Sequence, residues 1–235
     1  MAMVEGLRLR ERSASFGGPR TRGDAIFEVL LDAILKVDLA PGAALAKDAI
    51  ARELGVSRTP VGDAINRLAA LGLASVVPQV GSFVSRISPQ AVIESSFLRS
   101  AAESAVVHRL ASTVNRALVG DLRDRLAEQG RFVAAGDTDR FHVADDEFHR
   151  FLINSAGMAG VWDQIATARL NLVRIRRLGL PQPGRLADAH TEHGRIVDEI
   201  EARRPRRAAE AMTGHIRYAE LYLKRLEKEQ PDFFV

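Results

Sequence analysis

An aspartate and three histidines in the second half of the chain have residue types and spacings that can do chemistry. Asp145 and His149 stand four apart within a stretch of helical periodicity, which puts both side chains on one helix face. His193 lies in Thr191-Glu192-His193, ahead of an apolar stripe through Ile196 and Ile200, and His215 lies in Met212-Thr213-Gly214-His215-Ile216. One carboxylate and three imidazoles carried on three helices can close around a divalent transition metal. Imidazole suits zinc, nickel, copper, iron and cobalt, and the carboxylate widens the choice toward manganese. Spacing alone leaves plainer readings open: each histidine as a satisfied core residue, and Asp145–His149 as a helix-surface pair. His142, seven residues before His149, and His190, three before His193, could also enter such a pocket, with surface positions expected first.

The chemistry available elsewhere is bounded by composition. The chain has no cysteine, which excludes disulfides, thiolate metal sites and cysteine nucleophiles and fits a reducing cytoplasm, the location expected here. Hydrophobic residues are 46% and charged residues 27% of the 235, enough apolar surface for a packed core. No uncharged apolar window approaches the roughly 18 residues of a membrane span, so no membrane partner is expected. A net charge of +3 does not by itself announce a nucleic-acid binder. A DNA-binding reading must rest on pattern.

That pattern lies in the first third. Residues 1–20 form a polar arm with Arg8, Arg10 and Arg12, ending at Gly17-Gly18-Pro19. From Asp24, Ile26, Val29, Leu30, Ala33, Ile34 and Val37 recur at helical spacing up to Pro41-Gly42. A second helix is expected from about Ala46 to Leu54, stopped by Gly55. A third follows Ser57, a good N-cap residue, with Pro60 in its first turn and Val61, Ile65, Leu68 and Leu71 on its apolar face. The period then shortens: Ala74–Val77 and Ser82–Ser85 read as two strands around a turn at Pro78–Gly81. Three helices and a ribbon make a winged helix-turn-helix. Gly55 makes its turn and Val56 is expected to plug it to the core. Ser57, Arg58 and Thr59 stand at the helix N-terminus, where free N–H groups favour phosphate, and Arg58 can pair with a guanine edge. Gly81 at the ribbon tip permits close approach to the DNA backbone.

Beyond Ile87-Ser88-Pro89 only helical segments are expected, at about 90–112, 115–135, 138–156, 160–179, 184–203 and 205–229. The fold class is therefore mainly α. It comprises a winged helix-turn-helix over 21–86, a linker at 87–91 and an all-helical effector-binding domain over 92–230.

Pro41-Gly42, Leu45, "ARELGVSRTPV" and "AINRLAALGLASVVPQVGSFV" together resemble the GntR-type transcription regulators over residues 24–86. The resemblance implies that Arg58 and Thr59 contact double-stranded operator DNA, supported by Ser57 and Gly81. Two departures stand out. Gly62 occupies a position where the family usually carries a DNA-contacting Arg, and it weakens the helix by about 1 kcal/mol relative to Ala. Val80 precedes Gly81 where a basic residue is common. "DDEFH", "FLINSAG", "TEHGRI" and "AMTGHI" resemble the FCD effector domain of the FadR/VanR branch, over roughly 92–228. There the resemblance implies a metal held by Asp145, His149, His193 and His215. It also implies that Arg99, in "FLRSAAE", faces the effector pocket, against the plainer reading of an ion pair with Glu103. Met158 replaces a common Asn, and the adjacent Asp146 is an alternative to Asp145.

The expected function is a metabolite-responsive repressor. It would act as a homodimer and bind a divalent metal, zinc or nickel by preference with manganese possible, and a small carboxylate metabolite. Two alternatives are a metal-dependent hydrolase-like enzyme in the helical bundle, and a regulator whose pocket holds no metal. Arg58→Ala is expected to cost about 1–3 kcal/mol of operator binding and to relax base preference. Removal of residues 1–20 should instead weaken all duplexes alike and flatten the salt dependence. Anisotropy titrations on operator and scrambled duplexes over a salt series separate the two, and unchanged binding in both variants would overturn the assigned contacts.

Overall fold

The computed structural model describes residues 21–166 and 169–235, which divide into two compact units. The arm at 1–20 lies outside the described residues.

In the first unit Thr21 starts helix α1 (Arg22–Leu35) with a reciprocal cap. Its hydroxyl oxygen accepts from the Asp24 N–H while the Asp24 carboxylate accepts from the Thr21 N–H, each at 3.2 Å. Helix α2 (Lys47–Leu54) ends on Gly55, whose φ of 68° is the left-handed value a glycine adopts without penalty, and α3 (Arg58–Ala70) follows at once. The apolar stripes converge, with Val29, Leu30, Ala33, Ile34, Ile50, Val61, Ile65 and Leu68 all buried. Val56, expected to plug the turn, is half-buried, and its N–H bonds the Ala51 carbonyl at 2.9 Å. Arg67 bridges α3 to α1, bonding Asp24 at 2.9 Å and lying 4.0 Å over the Phe27 ring.

Strands β1 (Ala74–Val77) and β2 (Gly81–Val84) pair antiparallel, with Ala74 opposite Val84 and Val77 opposite Gly81. Their turn closes by the Val80 N–H on the Val77 carbonyl at 3.1 Å. The left-handed turn residue is Gln79 (φ 61°), after Pro78, in the place where such turns usually put Gly. The other edge of β2 is covered by Ala43–Leu45: the Leu45 N–H bonds the Ser82 carbonyl at 2.7 Å, and the Val84 N–H bonds the Ala43 carbonyl at 2.8 Å.

Residues 226–235 also belong to this unit, although the sequence places 226–230 with the helical domain. Ile87 and Phe234 form a parallel bridge. The Ile87 N–H bonds the Phe233 carbonyl at 2.8 Å, the Val235 N–H bonds the Ile87 carbonyl at 3.2 Å, and Phe234 is buried.

Among the described residues the second unit is all-helical: α4 (Pro89–Thr113), α5 (Arg116–Ala135), α6 (Thr138–Ser155), α7 (Ala159–Ala166), α8 (Leu170–Gly179), α9 (Arg185–Glu201) and α10 (Pro205–Glu229). The last four residues of α10 belong to the first unit. The single helix expected over 160–179 is described as two, α7 and α8. Asn115 caps α5 through the Leu118 N–H at 2.9 Å, and Gly136 (φ 65°) ends it. The core gathers Val107, Leu110, Phe148, Leu152, Ile196, Ile200 and Met212 from α4, α6, α9 and α10. No described helix is long and apolar enough to cross a membrane.

Gly179 is a tight point in this packing. A Cβ there would lie 3.0 Å from the Tyr222 ring, whose hydroxyl donates to the Leu178 carbonyl at 2.9 Å and so resists displacement. Gly179→Ala is expected to lower stability by about 1–3 kcal/mol. Gly120→Ala, on the exposed face of α5 with nothing within 4 Å of the new methyl, should raise it by up to about 1 kcal/mol. Thermal melts of the two variants check both signs.

Candidate functional site

Asp145 and His149 on α6, His193 on α9 and His215 on α10 come together in the second unit, with one ligand atom from each lying within 4.8 Å of the others. The Nε2 atom of His215 lies 3.2 Å from both His149 Nε2 and His193 Nε2. Asp145 Oδ1 lies 3.5 Å from His193 Nε2. Nitrogens held about 2.0–2.1 Å from a tetrahedral zinc stand roughly 3.4 Å apart, so the spacing is that of a coordination sphere. His149 and His193 are fully buried.

The other ring nitrogens fix the tautomers. His149 Nδ1 donates to Glu103, His193 Nδ1 donates to Gln129 Oε1 at 2.8 Å, and His215 Nδ1 donates to Glu192 Oε2 at 2.7 Å. The Gln129 amide is itself oriented, its NH2 donating to the Ala144 carbonyl at 3.1 Å. With each Nδ1 carrying its proton toward an acceptor, each neutral ring turns its Nε2 lone pair to the common point. Metal-ligating histidines commonly have outer partners of this kind.

Electrostatics reinforce the neutral form of His193 and His215. Burial, aided by His215 and His149, holds His193 well below the ordinary imidazole range. Burial also lowers His215, to about 4, against the raising effect of its bond to Glu192. Burial alone would raise Glu103, but the Arg99 guanidinium and the hydrogen bond from His149 hold it well below the ordinary carboxylate range. Burial is likewise overridden at Glu192, which bonds from Arg185 and His215 lower to about 2.

The neighbouring sequence candidates separate clearly. Asp146 turns away from the cluster to Arg169 at 3.0 Å and Arg176 at 2.9 Å. His142, expected at the surface, is buried because it lies three residues before Asp145 and so shares its helix face. His142 Nδ1 has no hydrogen-bond partner among the described residues, and burial with the surrounding arginines keeps the ring neutral. His190 is half-buried in the space left by Gly130, its Nε2 3.0 Å from the Leu126 carbonyl. Arg99 makes the ion pair with Glu103, through Nε at 2.7 Å, and also lines a cavity beside Asp145 and His215.

The acceptors Glu103, Gln129 and Glu192 were not singled out as metal supports from the sequence. Glu103 had a signal as the residue four after Arg99, and Glu192 as the neighbour of His193. Gln129 had none.

In the first unit Ser57, Arg58 and Thr59 are exposed at the start of α3, and Gly81 is exposed at the start of β2. Ser57 occupies the N-cap position but its side chain makes no capping bond. Arg58 pairs with Asp48 at 2.8 Å, both side chains being largely exposed. Between ribbon and helix start lies a concavity of about 570 Å³, lined by Lys47, Asp48, Arg58, Val80, Gly81 and Phe83 among others. A Cβ on Gly62 would stand 3.9 Å from Lys47 Nζ, so an ammonium lies beside the position that lacks the usual Arg.

Comparison with known proteins agrees with this architecture. Residues 22–84 match the bacterial regulatory proteins of the gntR family, and residues 94–218 match the FCD domain. The chain is 37% identical, over 92% of its length and 90% of the relative's, to an uncharacterized HTH-type transcriptional regulator in an unstable DNA locus of Streptomyces ambofaciens. It is 29% identical to the HTH-type transcriptional repressor RspR of Escherichia coli, over 89% of this chain and 92% of that one. A putative transcriptional regulator GntR from a Rhodococcus species shares the fold, with a TM-score of 0.70 and 22% identity over 88% of this chain and 99% of that one. This chain belongs to the GntR family of bacterial transcriptional regulators and carries a C-terminal FCD domain.

Proposed function

We propose that this regulator is a cytoplasmic, metabolite-responsive repressor that binds operator DNA as a homodimer. Its helical unit would hold one divalent transition metal, zinc or nickel by preference, and a small carboxylate effector. The observation that carries the metal reading is the convergence of three Nε2 lone pairs and one carboxylate at a buried point, with every Nδ1 already committed. Asp145, His149, His193 and His215 are the ligands in this reading, and Glu103, Gln129 and Glu192 hold the rings in register. The bound metal would supply a Lewis-acidic anchor for the effector's carboxylate, and Arg99 would bind the same anion.

Ser57, Arg58, Thr59 and Gly81 are the proposed operator contacts. The exposed Arg58–Asp48 pair is worth at most about 1 kcal/mol, less than the roughly 1–3 kcal/mol of a bidentate guanine contact, so the arginine leaves Asp48 for DNA. Lys47 lies where it can take over a backbone contact near Gly62. Phe97 is 70% exposed on α4, one turn after the exposed Ile93, an apolar face that a second copy would cover. The repressor reading is supported by the likeness to RspR. Effector binding would shift the population of DNA-competent protein through its differential affinity for two arrangements.

Untagged protein stripped with a chelator and reloaded is expected to hold one metal per chain by elemental analysis, and His193→Ala should lose it. Gln129→Ala removes the acceptor behind His193, together with the bond to the Ala144 carbonyl, and should weaken the metal by about 10–100-fold. No metal under replete conditions would sink the metal reading. Operator binding at least about a thousandfold tighter than to a scrambled duplex is expected at stated salt, and equal binding to both would overturn the DNA-reading assignment.

A further inference from the structure

The three arginines at the cavity beside the histidine cluster are each tied, through a carboxylate, to a metal-facing residue. Arg99 Nε bonds Glu103 Oε1 at 2.7 Å, and the other Glu103 oxygen accepts from His149. Arg185 grips Glu192 with both prongs, at 2.7 and 2.8 Å, and Glu192 accepts from His215. Arg176 abuts Asp145 itself and bonds Asp146 at 2.9 Å. Arg99, Asp145, Arg176, Arg185, His215 and Tyr218 line the cavity, and Arg185 lies flat on the Tyr218 ring, 3.7 Å from its centre.

The charges of this set close. Arg99, Arg176, Arg185 and Arg169, the last bonded to Asp146 at 3.0 Å, face Glu103, Asp145, Asp146 and Glu192. Four guanidiniums against four carboxylates are neutral. A divalent cation at the histidines raises the set by two charges in a buried region, where uncompensated charge costs several kcal/mol per ion. A monocarboxylate offsets half of that, and a dicarboxylate offsets all of it.

Donors for such an anion are at hand. Arg99 is almost fully buried, and its Nη2 has no hydrogen-bond partner among the described residues. The cavity holds about 30 Å³, room for roughly one water, so an organic acid enters only as the arginines swing from their present partners. A guanidinium drawn off Asp145 or Glu103 leaves that carboxylate more negative toward the cation. Each ligand therefore strengthens the other, by the same factor in either direction.

We propose that Arg99, Arg176 and Arg185 form, with the metal, a receptor for a small dicarboxylate, and that dicarboxylate and metal bind with positive linkage relayed by Glu103, Asp145 and Glu192. This deepens the effector reading above and rests on the metal site proposed there.

The test uses the full chain, zinc-loaded or chelator-treated. Calorimetry compares malonate, succinate and glutarate with propionate, butyrate and valerate, and zinc affinity is read separately by competition with a chromophoric chelator. At least one diacid is expected to bind the zinc-loaded protein about tenfold or more tighter than its monoacid counterpart, within the usual range of coupling between sites. It should lose that factor without zinc, and it should tighten zinc by the same factor. Arg176→Gln should abolish the preference for the diacid while leaving zinc at least as tight as in the parent, because Asp145 is released to the cation. Arg99→Gln, checked for folding by circular dichroism, tests the preference independently. Zinc binding one per chain with equal affinity for mono- and diacids would overturn the dicarboxylate receptor and leave the metal reading standing. Diacid binding indifferent to zinc would overturn the linkage. Absence of zinc binding would instead remove the metal reading beneath both.

Discussion

Three imidazole lone pairs that meet at 3.2 Å inside a helical bundle repel one another, and much of the second unit's polar interior is arranged around that fact. Each ring must be neutral and in one tautomer, so each needs an acceptor at Nδ1. Two of those acceptors, Glu103 and Glu192, are carboxylates that bring charge into the interior. They in turn require Arg99 and Arg185, since a buried carboxylate without a partner costs several kcal/mol. The apolar packing of Phe148 against His193, rings stacked at 4.4 Å, keeps the assembly dry and its rotamers fixed. A polar network of this size would be a poor way to stabilise a bundle, and a hydrophobic core would serve better. Its presence fits the cation and the anion proposed for this bundle.

The parts of this that were legible in the sequence are those encoded locally. The three N-terminal helices, the ribbon and the helix-starting Ser57-Arg58-Thr59 follow from period, caps and glycine placement, each set within a few residues. Asp145 and His149 could be paired because four residues make one helix turn. The acceptors behind the histidines were not legible, because each bond joins different helices across 23 to 64 residues. The same holds for Arg176, whose role depends on where α8 lies against α6. His142 was placed at the surface although its spacing from Asp145 and His149 also allowed the shared, buried helix face. Arg99 illustrates the limit differently: ion pair and pocket lining looked like competing readings of one residue, and its guanidinium has enough donors to do both.

The winged unit reuses an ordinary core to present a small exposed surface. Val61, Ile65 and Leu68 anchor α3 from one side, leaving Arg58 and Thr59 exposed at its start. Gly62 would be a defect if read alone, a weak helix former without a side chain. In place it leaves open space in which Lys47, from the preceding helix, brings its ammonium to the same locality. A positive charge relocated from one helix to another preserves attraction for phosphate but not a guanidinium's two-pronged geometry, so selectivity among bases at that position would change more than affinity.

The bridge between Ile87 and Phe234 makes the first unit discontinuous along the chain. Translation runs from the N-terminus at about 5–20 residues per second, and domains ordinarily fold as they emerge. Here the segment after the ribbon waits for a partner made 147 residues later, which at that pace is an interval of roughly 7–30 seconds. Until residues 226–235 leave the ribosome, the winged unit lacks the segment that bridges Ile87. A chain interrupted in the helical half therefore has its recognition helix but not its complete winged unit. The topology withholds a finished winged unit from any chain that has not also made its helical one.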